Sequence, residues 1–298
     1  MTTFIEILKA ILYGIVEGIT EWLPVSSTGH LILLGEWLPF SFSNDAVFMA
    51  EFSEMFEVVI QLGAILAVII MFWSKLCPFG ASKSTDEKKK TWSLWLRVVI
   101  ASVPAAVIGI VFDKILEMKS GKDINGWLYN AYVVAAALIV YGMAFIVIDK
   151  FNKSKNRAPR IQTVDDISCG KAFCVGLFQA LSIVPGTSRS GSTILGSMLL
   201  GLSRTAAAEF SFFMAIPAMV GASGIKALGF VKYIAESSVS VPLDAWLALA
   251  VASVVSFLVS MAAINFLMDF VKKHSFSAFG VYRIALGIIV LLYFFIKS

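Results

Sequence analysis

Six apolar runs long enough to cross a bilayer as helices lie at about residues 56–73, 92–112, 129–148, 209–229, 243–268 and 279–297. Nothing else in the sequence constrains the fold as tightly, because a helix needs roughly 20 predominantly apolar residues to span the hydrocarbon. Only 15% of the residues are charged and the mean hydropathy is +0.85, whereas about a quarter of a soluble domain is charged. The chain reads as an all-α polytopic membrane protein, a single membrane domain over residues 1–298 without a separate soluble module.

Two further apolar stretches, about 4–38 and 170–202, break near their middles at Pro, Gly and Ser, in LPVSSTGH and VPGTSRSG. The halves after each break are short for spans. Each stretch is therefore expected to be a re-entrant hairpin of helix, tip and helix that leaves on the side it entered. Charge distribution tests this. Lys75, Lys83, Lys88, Lys89 and Lys90 in loop 74–91 mark a cytoplasmic segment by the positive-inside rule. So do Lys150, Lys153, Lys155, Arg157, Arg160 and Lys171 in linker 149–171, and Lys272 with Lys273. Segment 39–55, with Asp45, Glu51 and Glu54 but no Lys or Arg, falls outside together with 230–242.

These sides close only if the first hairpin enters from outside and the second from the cytoplasm. Three spans follow each hairpin, so residues 1–150 and 168–298 form an inverted-topology repeat. A faint echo supports it: Gly14, Glu17, Pro24 and Ser27 against Gly176, Gln179, Pro185 and Ser188, allowing a one-residue gap. Inverted repeats with broken helices place their site near the midplane, where the tips meet. Trp73, Trp92, Trp127 and Tyr129, near span ends, read as interfacial anchors.

Other features narrow the function classes. The basic residues, at a net charge of +4, are explained by topology and leave no case for nucleic-acid binding. Cys77, Cys169 and Cys174 have neither the number nor the spacing of a disulfide framework or zinc site. Glu6 and Glu17 interrupt the N-terminal apolar stretch and no small-residue cleavage site follows, so it does not read as a cleavable signal peptide.

The tips carry the chemistry. The run EGITEWLPVSSTGH, Glu17 to His30, sets two carboxylates, three hydroxyls and an imidazole inside apolar sequence, although ionisable groups at bilayer depth are costly and usually functional. Glu17 and Glu21 are four residues apart and share a helix face. Two like charges so close do not both stay ionised cheaply. Either one carries a proton or a hard divalent cation, Mg²⁺ or Ca²⁺, lies between them; a polar pair at a helix interface is the plainer alternative.

Ser26, Ser27 and Thr28 follow Pro24 where the chain turns back into helix. Ser26 is expected to cap that helix, while capping and nucleophilic attack are both open to Ser27. His30, just past the tip, is assigned acid–base or nucleophilic work. In PGTSRSG, Arg189 offers a permanently charged fork for phosphate oxygens, and N–H groups of the helix beginning near Ser190 extend the anion site. Arg283, about a turn inside the last run, is a further candidate phosphate ligand. Glu57, Gln61, Arg97, Gln179, Glu209 and Asn265 are expected to make packing hydrogen bonds or anchor interfaces. The inventory suits a phosphorylated substrate.

EGITEWLPVSSTGH and PGTSRSG resemble the two signature motifs of the undecaprenyl-diphosphate phosphatase family, the bacitracin-resistance integral-membrane phosphatases of bacteria. FEVVIQLGAILAV at 56–68, AEFSFFMAIP at 208–217 and YRIALG at 282–287 extend the likeness over nearly the whole chain. The resemblance implies hydrolysis of undecaprenyl diphosphate to the monophosphate lipid carrier of cell-wall synthesis and inorganic phosphate. It implies a divalent cation and an active site on the outer face of the bacterial cell (inner) membrane. It also implies that Glu17, Glu21, Ser27, His30 and Arg189 are the catalytic set, with Ser26, Thr28 and Ser188 as phosphate contacts. Ser27 and His30 both remain open as the nucleophile. The implied partners are a polyprenyl diphosphate and membrane lipid, with homodimer formation left open.

A secondary transporter or lipid flippase is the rival from another class, since broken helices in inverted repeats are typical of transporters. A structural scaffold accounts poorly for charged residues at both tips.

Overall fold

The computed structural model describes residues 2–80, 83–120, 128, 130–154, 159–237 and 239–297, and among them regular structure is helical apart from one isolated bridge between Ile161 and Leu202. Trp127, Tyr129, Lys155 and Arg157 lie outside the described residues. Helices α1 (Thr2–Thr20) and α2 (Ser27–Trp37) flank the first tip, and α8 (Cys169–Ala180) and α9 (Arg189–Leu199) flank the second. Between and after them run α3 (Ala46–Val59), α4 (Gln61–Met71), α5 (Trp73–Leu76), α6 (Thr85–Ser120), α7 (Ala131–Ser154), α10 (Arg204–Ser237), α11 (Leu243–Lys273) and α12 (Ser277–Lys297).

Six helical rods are long and apolar enough to cross a membrane, and the chain is a multi-pass membrane protein. They overlap the six expected runs, but four begin earlier, the first two by the most. The first starts at Ala46 because the Asp45 carboxylate accepts hydrogen bonds from the N–H groups of Val47 and Phe48 (2.9 and 3.2 Å). Phe48, Phe52, Met55 and Phe56 then supply a buried stripe at helical spacing. The second starts at Thr85 through a reciprocal cap in which Ser84 Oγ accepts from Glu87 N–H and the Glu87 carboxylate accepts from Ser84 N–H. Lys88, Lys89 and Lys90, expected in a loop, are consequently helical.

Packing between the two halves of the chain is reciprocal. The rod α3–α4 lies against α10, α7 against α12, α1 against α11, and α8 against α6. Lipid tails give apolar helices little reason to associate, so close backbone approach at small residues decides such contacts. A Cβ on Gly142 would sit 2.7 Å from the Gly280 carbonyl oxygen, and one on Gly280 would sit 2.6 Å from that of Gly142. Gly14 of α1 meets the Ala252 carbonyl of α11, and Gly176 of α8 meets the Ala101 carbonyl of α6.

At the ends bearing the basic segments, polar ties join the elements. Arg97, nearly inaccessible, donates to the carbonyls of Val164, Asp165 and Ile167. Lys75 pairs with Glu209, and buried Asp149 accepts from Arg204 and Ser277. These are the anchoring roles expected of Arg97 and Glu209.

Candidate functional site: two facing tips

Both tips end on a serine with an unusual backbone. Ser26 (φ 74°) and Ser188 (φ 69°) are the residues immediately preceding α2 and α9, and both lie in a region that L residues rarely adopt. They pair Ser26, rather than Ser27, with Ser188, and the correspondence then runs back to Glu17 with Gln179 and Gly14 with Gly176 without a gap. Ser188 Oγ accepts from Gly191 N–H (3.1 Å) and caps α9. Ser26, expected to cap α2, makes no such bond; its hydroxyl is buried without a partner among the described residues. The first turn of α2 thus keeps free N–H groups at the tip, a local positive end suited to an anion.

The tips touch. Glu21 N–H bonds the Glu17 carbonyl (3.0 Å), which carries helical geometry past Thr20 and keeps both carboxylates on one face. Glu21 Oε1 accepts from Arg189 Nη2 of the opposite tip (2.9 Å), and its Oε2 accepts from Ser27 Oγ (2.9 Å). Arg189 Nη1 also donates to the Ser211 carbonyl of α10 (2.7 Å), and its guanidinium lies over the Trp22 ring at 5.8 Å. Ser190 Oγ donates to the Glu21 carbonyl (3.1 Å). One carboxylate thereby joins a hydroxyl from its own tip to a cation from the other.

Glu17 is fully buried, and neither carboxylate oxygen has a hydrogen-bond partner among the described residues. Glu21 and Glu57 both act on it electrostatically. A buried carboxylate in this state requires a proton or a cation. Among the described residues no three His, Cys, Asp or Glu side chains gather as a ready-made metal cluster. Mg²⁺ is commonly held by one or two carboxylates together with waters and substrate phosphate oxygens. The orphaned oxygens of Glu17 fit that donor set, and Glu21 joins it where Arg189 or Ser27 releases one of its oxygens.

Among the described residues His30 makes no hydrogen bond to Ser27. Its Nδ1 lies 2.7 Å from the Ser26 carbonyl and its Nε2 lies 2.7 Å from the hydroxyl of Tyr282 on α12. Arg283, the next residue, is fully buried and fastens the tips: Nη1 donates to the Pro24 carbonyl (3.1 Å), and Nη2 to those of Gly186 (2.7 Å) and Thr187 (3.0 Å). Thr28 has no side-chain hydrogen bond among the described residues and is half-buried.

Sequence reasoning passed over Tyr282, Ser190, Ser211 and Trp22. Trp22 lies in EGITEWLPVSSTGH, Ser190 in PGTSRSG and Ser211 in AEFSFFMAIP, so each had a motif as its signal, and Tyr282 stands beside an arginine inside the last apolar run.

Two cavities are prominent, and neither is lined by Glu17, Glu21, Ser27, His30 or Arg189. One of about 600 Å³ includes Ile183 beside the second tip and Glu51, Glu54, Asp113 and Lys226. The other, about 350 Å³, lies along α2 with Leu31, Gly35, Glu36, Glu57 and Phe294.

Known proteins are similar to this chain over nearly its whole length. The profile of the bacitracin resistance protein BacA family matches residues 10–289. The chain is 49% identical to undecaprenyl-diphosphatase 1 of Clostridioides difficile, over 99% of this chain and 100% of that protein. It is 49% identical to an undecaprenyl-diphosphatase of Enterococcus faecalis over 97% of each chain. With an undecaprenyl-diphosphatase of Streptococcus thermophilus the identity is 50%, over 98% of this chain and 95% of that one.

Proposed function

The chain belongs to the BacA family of bacitracin resistance proteins, and on that premise we propose that its two facing tips are the centre at which it converts undecaprenyl diphosphate to undecaprenyl phosphate and inorganic phosphate. The protein is an undecaprenyl-diphosphate phosphatase, a hydrolase of the membrane. The observation that carries the assignment of the centre is the chain of contacts from Ser27 through Glu21 to Arg189.

Ser27 Oγ attacks the terminal phosphorus and passes its proton to Glu21 Oε2, to which it already donates. The bond from that phosphorus to the bridging oxygen breaks, and the lipid monophosphate leaves with the electron pair. Water then attacks the phosphoserine phosphorus and gives a proton to His30. The Ser27 oxygen–phosphorus bond breaks, and Glu21 returns its proton to Ser27. Because Nε2 of His30 faces Tyr282, the geometry favours Ser27 over His30 as nucleophile.

Arg189 is held by Glu21 and the Ser211 carbonyl until a diphosphate competes for it. Phosphoryl transfer depends mainly on positioning and charge stabilisation, and Arg189 with the open N-terminus of α2 supplies both. Ser26, Thr28 and Ser188 are assigned as phosphate contacts. Three donors of Arg283 are engaged with tip carbonyls, so it reaches the diphosphate only through its remaining hydrogens. Glu17 and Glu21 would hold the divalent cation, Mg²⁺ or Ca²⁺. That ion would add Lewis-acid stabilisation of the phosphoryl oxygens.

Two features support a site reached from outside the cytoplasm. The larger cavity draws on Glu51 and Glu54 of the acidic segment expected outside, and the reciprocal helix packing supports the inverted repeat that sets this orientation.

The test is release of phosphate from undecaprenyl diphosphate by purified protein in detergent, where no gradient exists to drive a transporter. Ser27→Ala should retain less than about 1% of turnover. Unchanged turnover in that variant would remove the tips from the chemistry.

A further inference from the structure

We propose that Tyr282 is a positioning residue that fixes the tautomer and orientation of His30. This rests on the assignment of His30 to proton handling in the reaction above. A carbonyl oxygen only accepts, so the 2.7 Å contact of Nδ1 with the Ser26 carbonyl requires hydrogen on Nδ1. In the neutral ring Nε2 is then the acceptor, and Tyr282 must donate its hydroxyl proton across the second 2.7 Å contact. The planes of the two rings differ by only 8°, with centroids 5.7 Å apart.

The support is rigid at both ends. The Ser26 carbonyl that orients Nδ1 belongs to the residue with φ 74°, and Tyr282 stands next to Arg283, whose bonds to Pro24, Gly186 and Thr187 hold α12 against both tips. A proton bound for Nε2 arrives through this contact: the phenol passes its own proton to Nε2, takes one from the water, and turns from donor to acceptor. Phenylalanine fills the same space and does neither. The competing role for Tyr282 is an aromatic anchor, half-exposed near lipid.

The experiment compares the full-length protein with Tyr282→Phe, His30→Ala and the double variant, measuring phosphate release and ring ¹⁵N spectra of histidine-labelled protein. The chain has two histidines, so a His274→Gln background leaves His30 alone in the spectrum. The expected spectrum shows protonated Nδ1 and unprotonated Nε2, with the Nε2 resonance displaced in Tyr282→Phe. Turnover in Tyr282→Phe should fall about tenfold or more with KM little changed. Adding Tyr282→Phe to His30→Ala should cost nothing further, because a residue that acts through His30 has nothing left to act on.

An unmoved Nε2 resonance overturns the proposal, as does an additive loss in the double variant. Wild-type turnover in Tyr282→Phe while His30→Ala is inactive overturns it as well. Wild-type turnover in His30→Ala instead overturns the role of His30 in the reaction, and the role of Tyr282 falls with it.

Discussion

Arg283→Lys tests what joins the two halves of the site. Arginine reaches three carbonyls from two tips at 2.7–3.1 Å, each bond charge-assisted and buried. A lysine ammonium is a compact point charge without the fork, so it bonds one tip and abandons the other. Hydrogen bonds to charged groups contribute about 1.5–3 kcal/mol each, so losing two of them should cost about 3–6 kcal/mol. At roughly 2 °C per kcal/mol for a chain of this size, the melting temperature should drop by about 6–12 °C. The assay is thermal unfolding in detergent followed by tryptophan fluorescence, paired with steady-state phosphate release on the same preparation. Separation of the tips also moves Arg189 away from Glu21, so kcat should fall along with stability. A melting temperature within about 2 °C of the parent, together with a raised KM and unchanged kcat, would refute the clasp and make Arg283 a phosphate ligand.

Arg189→Lys keeps the charge but loses the geometry that spans Glu21, the Ser211 carbonyl and an incoming phosphate; phosphate release should fall at least about tenfold, or about 1.4 kcal/mol. Near-parental turnover would make Arg189 a structural anchor. Chelation should abolish hydrolysis and added Mg²⁺ restore it, while Glu17→Gln should raise the metal concentration needed for half-maximal activity by about tenfold or more and leave the fold intact. An unchanged metal requirement would remove Glu17 from any cation site. In a background lacking Cys77, Cys169 and Cys174, cysteine in place of Ser43 should react with an impermeant thiol reagent in intact cells, and cysteine in place of Lys88 should not. The opposite labelling pattern would reverse the orientation.

The spans were legible because hydrocarbon filters composition residue by residue. Their starts were not, because caps such as Asp45 and the Ser84–Glu87 pair lie in polar sequence that carries no hydropathy signal. The tips were legible as chemistry: Glu21, Ser27 and Arg189, recognised separately, prove to be hydrogen-bonded to one another across the two halves. The partners chosen by His30 and Arg283 were not readable. They depend on where α12 passes relative to the tips, and a sequence with no period longer than a helical turn does not encode that distance. That Ser26 leaves its helix uncapped was equally unreadable, since Ser188, with nearly the same backbone conformation, does cap the helix it precedes.

Gly14 and Gly18 bear on the carbonyls of Ala252 and Ser256, and Ser260 Oγ donates to the Gly18 carbonyl (3.3 Å). The two glycines bracket Glu17 in sequence, so the depth of that carboxylate is set by α11, in the other half of the chain. Glu21, four residues on, is tethered instead to Arg189 at the second tip. The first tip is thus suspended between two mountings, one bearing each acid.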